Sequence, residues 1–95
     1  MDLDPRLLRY FVAVAEELNF SRAARRLHIS QPPLSYAIKQ LEEAIQAQLL
    51  VRTSRQVELT AAGRVLYNEA LFLLRKNADV QKLIQRIDAG LHGQI

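Results

Sequence analysis

Ninety-five residues suffice for one domain with a single modest core, and they leave no room for an enzyme cleft with walls of its own. Apolar residues make up 49% of the chain, enough to fold, and the lack of cysteine excludes a disulfide framework or a thiolate metal site. There is no charged segment followed by an apolar leader core, and no apolar run near the roughly 20 residues that cross a bilayer, so we expect a cytoplasmic protein without a membrane partner. The net charge of +3 is mild but uneven: from Arg22 to Arg55 the bases Arg22, Arg25, Arg26, Lys39, Arg52 and Arg55 meet only two acids, Glu42 and Glu43. Charge runs are ordinarily solvated faces; concentrated on one stretch, this one suits a phosphate backbone.

In chain order, Asp4 followed by Pro5 supplies a cap and a first helical position. Leu7, Leu8, Phe11, Ala15 and Leu18 give the first helix its buried stripe, and Asn19 is expected to end it. Ser21 then caps a short helix with Ala23, Ala24 and Leu27 inward and Arg22, Arg25 and Arg26 left to solvent or phosphate. Ser30 caps the next helix, and Pro32 and Pro33 fall in its first turn, where backbone N–H groups have no intrahelical partner to lose. Leu34, Ile38, Leu41 and Ile45, flanked by Ala37 and Ala44, commit one side to the core, while Gln31, Pro32, Pro33, Ser35, Tyr36, Lys39 and Glu43 face out. Two helices joined by so tight a turn form a helix-turn-helix, whose outer polar face matches a DNA major groove in size and chemistry.

Leu49 to Leu59 reads as two short apolar segments around a doubly basic tip, a hairpin without an Asn-Gly or Asp-Gly turn signal. Beside a helix-turn-helix such a hairpin is a wing. Its tip would carry Arg52 and Arg55 to phosphates or into a narrow minor groove; the alternative is a solvated turn. Thr60 caps a helix expected from Ala61 to Ala89, with Gly90 as its stop. At 1.5 Å per residue that helix is on the order of 40 Å long, more than a domain of this size needs for its own core. Leu66, Ala70, Leu73, Asn77, Val80, Ile84 and Ile87 follow a heptad-like spacing suited to a dimer interface, and a second stripe, Tyr67, Leu71 and Leu74, would cover the helix-turn-helix.

Four stretches together resemble the N-terminal DNA-binding domain of LysR-type transcriptional regulators, over nearly the whole chain. They are Leu8-Arg9-Tyr10-Phe11-Val12-Ala13-Val14-Ala15-Glu16, Ala23-Ala24-Arg25-Arg26-Leu27-His28-Ile29-Ser30-Gln31-Pro32-Pro33-Leu34-Ser35, Leu41-Glu42-Glu43, and Arg52-Thr53 with Leu59-Thr60-Ala61-Ala62-Gly63. The resemblance implies a mainly α fold: a winged helix-turn-helix over residues 1–60 with a short two-stranded β wing, a linker (dimerisation) helix over 61–89, and a hinge over 90–95 leading to an effector-binding domain absent here. It implies binding of double-stranded operator DNA, a homodimer made by antiparallel linker helices, and a tetramer in complete regulators. No cofactor is expected; a small-molecule effector would bind only the C-terminal domain.

Base contacts carried over from the family fall on Gln31, Pro32, Pro33, Ser35 and Tyr36, and backbone or minor-groove contacts on Ser21, Arg22, Ser30, Lys39, Arg52, Thr53 and Arg55. Tyr36 stands where the family often has a basic residue, which favours a thymine-methyl or hydroxyl contact over bidentate guanine recognition. Gln46 and Ser54 stand where glycine is frequent, so the turn before the wing and the wing tip are expected to differ in conformation. Val51 replaces a common acidic residue and is expected to be neutral.

An enzyme would need convergent acid, base or nucleophile groups, whereas the two histidines, His28 and His92, lie far apart and Ser21, Ser30 and Ser35 are better used as caps or DNA contacts. His28 alone suits a helix end better than a metal site. The rival class is a winged-helix protein-interaction module, separable from DNA binding by the steep salt dependence of the latter.

Overall fold

Asp4 opens the fold by accepting the Arg6 N–H at 2.8 Å on its carboxylate, which caps α1 (Pro5–Glu17). The computed structural model describes residues 3–54 and 56–92. Helix α1 ends at Leu18, left-handed at φ 51°, whose N–H donates to the Val14 carbonyl at 2.7 Å. Asn19 therefore does not end α1 but begins α2 (Phe20–Arg26), with Oδ1 accepting the Arg22 N–H at 2.8 Å. Ser21 accordingly lies inside α2 and is not its cap.

The turn after α2 closes with the Ile29 N–H on the Ala24 carbonyl at 3.0 Å, and His28 takes the left-handed conformation at φ 59° that such helix ends require. Ser30 then holds the N-cap position of α3 (Gln31–Ile45), yet its hydroxyl makes no capping hydrogen bond. The reason is local: a cap side chain accepts from the second or third N–H of the helix, and those positions are Pro32 and Pro33, which have none. Gln46 closes α3 in the left-handed region at φ 60°, so it adopts the conformation glycine would favour.

Glu42 organises the entry to the wing. Its Oε2 accepts the N–H groups of Leu49 and Leu50 at 2.8 and 3.3 Å, fixing the start of β1 (Leu50–Arg52). Antiparallel pairing with β2 (Val57–Leu59) sets Leu50 opposite Leu59 and Arg52 opposite Val57, as a hairpin predicts. Thr53 closes the turn, its N–H donating to the Gln56 carbonyl at 2.8 Å and its Oγ1 accepting the Gln56 N–H at 2.9 Å.

Thr60 starts α4 (Ala61–His92): Oγ1 accepts the Gly63 N–H at 2.9 Å while its hydroxyl donates to the Gln48 carbonyl at 2.6 Å. Gly63 lets this first turn lie against the wing, since a Cβ there would sit 2.1 Å from the Leu49 carbonyl oxygen. The helix passes through Gly90 to His92 instead of stopping, because glycine only weakens a helix interior by about 1 kcal/mol and Gly90 does not take a positive φ. Residues 93–95 of the expected hinge lie outside the described residues.

The core lies between α1, α2, α3 and the base of α4, with Phe11, Val14, Leu34, Leu41 and Leu49 fully enclosed. Ala23 and Ala24 are buried and allow the close approach of α2. Leu66, Tyr67, Ala70 and Leu74 turn toward this core, so Leu66 and Ala70, expected on the partner-facing seam, instead bind α4 to its own domain.

Candidate nucleic-acid interface

Burial of Leu34, Ala37, Ile38 and Leu41 forces the other side of α3 into solvent. Gln31, Pro32, Pro33 and Lys39 are exposed there, Tyr36 is 65% exposed, and Ser35 is half-buried at the edge of the wing. Arg22 and Arg25 on α2 are exposed as well, as is the uncapped hydroxyl of Ser30. Ser21 reaches across the turn, its Oγ donating to Gln31 Oε1 at 3.1 Å.

Between α3 and β1 runs an open cleft of about 500 Å³ whose lining includes Ser35, Tyr36, Lys39, Gln48 and Arg52. Arg52 is not at the wing tip. It is the last residue of β1, and its guanidinium folds back over the Phe20 ring, 3.7 Å from the centroid, with Nη2 donating to Ser35 Oγ at 3.3 Å. An aromatic face and a hydroxyl accept that cation where a solvated tip offers only water. Thr53 holds the turn by its own hydrogen bonds, and Arg55 lies outside the described residues.

Arg26, exposed like Arg22 and Arg25, is paired with acids. Its Nη2 pairs with Glu16 at 2.6 Å and its Nη1 with Glu17 at 3.3 Å, while the Tyr67 hydroxyl on α4 donates to the other Glu16 oxygen at 2.6 Å. The Tyr67 hydrogen bond, followed by that from Arg26, holds the Glu16 carboxyl below the usual carboxylate range. The same contact with Glu16 raises the Tyr67 hydroxyl. This cluster joins α1, α2 and α4 at residues far apart in sequence, so no spacing could have announced it. The same holds for Phe20 beneath Arg52. Glu42 as anchor of the wing was within reach of sequence reasoning, being an acid one turn before a helix end with a strand to follow.

Among the described residues no group of His, Cys, Asp and Glu is placed to hold a metal ion, and no helix is long and apolar enough to cross a membrane. The surface offered is a helix-turn-helix face with the cations Arg22, Arg25 and Lys39 exposed beside it and the wing alongside. Residues 5–64 match the family model of bacterial regulatory helix-turn-helix proteins of the lysR family. The chain belongs to the LysR family.

Its relatives agree. The HTH-type transcriptional regulator XapR of Escherichia coli K12 is 52% identical over 92 residues, which cover 97% of this chain and 31% of XapR. The DNA-binding domain of BenM, solved with benA site 1 DNA, is similar at a TM-score of 0.87 and 45% identity, covering 93% of this chain and 99% of that one. The corresponding domain of CbnR, solved with DNA, gives a TM-score of 0.88 at 37% identity over 90% of this chain and 99% of that one. The chain thus has the winged helix-turn-helix fold of a LysR-type regulator, and the curated relatives it matches are transcriptional regulators. It spans about three-tenths of the length of most of the curated relatives it matches.

Proposed function

We propose that this chain is the part of a bacterial LysR-type transcriptional regulator that reads double-stranded operator DNA. The recognition helix α3 enters the major groove with Gln31, Pro32, Pro33, Ser35 and Tyr36 toward base edges, and Ser21, Arg22, Ser30, Lys39, Arg52, Thr53 and Arg55 serve the backbone or minor groove. The observation that carries this reading is the exposed first turn of α3 beside cationic α2 and wing residues, in a chain 45% identical to a domain solved on its DNA. Two copies joined along α4 would place two such helices on one duplex, and a tetramer would follow in the complete regulator. The domain division expected from the sequence is retained as part of the proposal: DNA reading over 1–60, linkage through α4, and a small-molecule effector bound by a further C-terminal domain. The cytoplasm, where the operator is, is its compartment.

Selection of bound duplexes from a random library at stated salt tests the reading. Gln31→Ala should cost roughly 1 to 3 kcal/mol on the selected duplex and relax the preference at one base position. Equal losses on selected and random DNA would reassign Gln31 to the backbone. Affinity that does not fall with salt would turn the same face into a protein-docking surface.

A further inference from the structure

We propose that Glu43 is a specificity-determining residue of the DNA-reading face: its carboxylate repels phosphate from the last turn of α3 and so weakens the complexes that backbone contacts alone would hold. The inference rests on the DNA-reading proposal above. From Arg22 to Arg55 the chain has two acids, Glu42 and Glu43, against six bases. Glu42 is turned to the wing, where Oε2 accepts the Leu49 and Leu50 N–H groups. Glu43 is exposed, and among the described residues it forms no ion pair, not even with Lys39 one turn before it.

The helix does not account for an acid at this place. Glu43 lies in the last turn of α3, where unpaired carbonyls make the helix end negative, so its charge opposes the dipole. Its direction is outward. With Leu34, Ala37, Ile38 and Leu41 buried, Pro32, Tyr36, Lys39 and Glu43 form one exposed line on the opposite side of α3. The two ends of that line differ in charge. At the start, the dipole is positive and Arg22 stands next to Ser21, whose hydroxyl meets Gln31 at 3.1 Å. At the other end, Glu43 and the dipole are both negative.

Helix α3 has 15 residues and is about 22 Å long, and a straight rod of that length cannot follow the curved floor of a groove about 12 Å wide. With its first turn on base edges, as helix-turn-helix domains dock, its last turn rises past the phosphate rim. On the preferred duplex the base contacts fix that tilt, and Glu43 costs little. On other duplexes attraction to phosphate alone holds the domain, and arrangements that lay α3 along the backbone bring Glu43 against phosphate. The repulsion therefore falls mainly on the wrong sequences.

The test measures dissociation constants over a salt series for the unmodified chain, Glu43→Gln and Glu43→Lys, each on the duplex selected from a random library and on a random-sequence duplex. Glu43→Gln keeps the shape without the charge. It should tighten the random duplex about threefold, the scale of one exposed charge contact, and the selected duplex by less, so that the ratio of the two falls. Glu43→Lys should tighten the random duplex about tenfold and steepen its salt slope by about one unit, as a new phosphate contact does. Selection repeated with each variant should return the same preferred bases.

Unchanged affinity for the random duplex in both variants would leave Glu43 a solvated charge and overturn the assignment. Equal gains on both duplexes would overturn it too, because specificity would not depend on this residue. A loss in Glu43→Gln confined to one base position would make Glu43 a base reader, accepting from cytosine N4. A lowered urea unfolding midpoint in Glu43→Gln would give the carboxylate a task in the fold instead. An unmodified chain that binds no duplex removes the DNA reading itself, and this inference with it.

Discussion

The Arg52 guanidinium lies 3.7 Å from the centroid of the Phe20 ring, which ties the wing to the first residue of α2. The same guanidinium donates to Ser35 Oγ in α3, so one side chain links strand, short helix and recognition helix. The contact uses the flat, delocalised cation of arginine; an ammonium has no plane to stack on the ring. In the free chain this contact ties the wing to the recognition helix.

On the proposed role of Arg52 at the DNA backbone, Arg52→Ala should lower affinity for most duplexes and reduce the salt slope by about one unit. Arg52→Lys should restore the slope but not the full affinity, because charge returns without the stack. Dissociation constants across a salt series distinguish the two effects. A slope unchanged in Arg52→Ala would make Arg52 an internal clamp that never meets phosphate.

Gly63 gives a prediction of opposite sign to helix propensity. Alanine is the better helix former by about 1 kcal/mol, yet the new Cβ would meet the Leu49 carbonyl oxygen at 2.1 Å. That carbonyl also accepts the Thr60 N–H at 3.0 Å, so relieving the clash disturbs both the cap of α4 and the base of the wing. Gly63→Ala should destabilise the chain by about 2 kcal/mol net, read from urea unfolding midpoints. Equal or greater stability would mean that α4 does not pack against Leu49 this closely.

The elements legible in the sequence were those whose signals are local. Asp4-Pro5, Ser30 followed by two prolines, and Thr60 each mark a helix start within a few residues, and all three starts stand in the structure. Asn19 misled because only Leu18 and Asn19 separate α1 from α2, so a residue expected to end one helix caps the next. Ser30 was legible as a position and not as a hydrogen bond, since its proline neighbours removed the donors.

Long-range pairs were the main loss. Arg26 and Arg52 looked like free cations until folding brought Glu16, Glu17 and Phe20 to them. The seam on α4 was legible only in part, for a geometric reason. Over two heptads a stripe drifts by only about 40° on a 3.6-residue helix, so Val80 stays close to the face of Leu66, but the core that covers this face extends only to Leu74. Leu66 and Ala70 fall on the inner face at the base, while Val80, Ile84 and Ile87 point to solvent further along.

Tyr67 and Glu16 make the attachment of α4 sensitive to pH. Both hydrogen bonds to Glu16 favour its ionised form, so the folded carboxyl binds a proton less readily than the unfolded one. Its stabilisation is full above the unfolded carboxylate range and is lost as pH falls through the depressed folded value. The raised Tyr67 hydroxyl acts at the other end, stabilising fully below the ordinary tyrosine range and losing this as pH rises through its folded value. Tyr67→Phe should lower the unfolding midpoint at neutral pH, and the gap from the unmodified chain should close in acid. Denaturation curves over a pH series measure it; a gap independent of pH would remove Glu16 as the partner that matters.

Beyond Leu74, α4 carries an apolar stripe with no cover in its own domain: Val80, Ile84 (58% exposed), Ile87 (53%) and Leu91. At 32 residues the helix is about 48 Å long, and its outer half has only a second helix to gain from such a surface. The unmodified chain should therefore be a dimer at tens of micromolar by sedimentation. It should prefer an interrupted inverted repeat whose half-sites lie about one helical turn, roughly 34 to 36 Å, or a multiple apart. Val80→Glu with Ile87→Glu places charge in the stripe without touching the core, and should give a folded monomer. Losing the tether between two binding modules should weaken the full repeat by about 100-fold or more while leaving the affinity for a single half-site unchanged. A monomeric unmodified chain that binds a half-site as tightly as the full repeat would leave the stripe without a partner and remove the dimer from this mechanism.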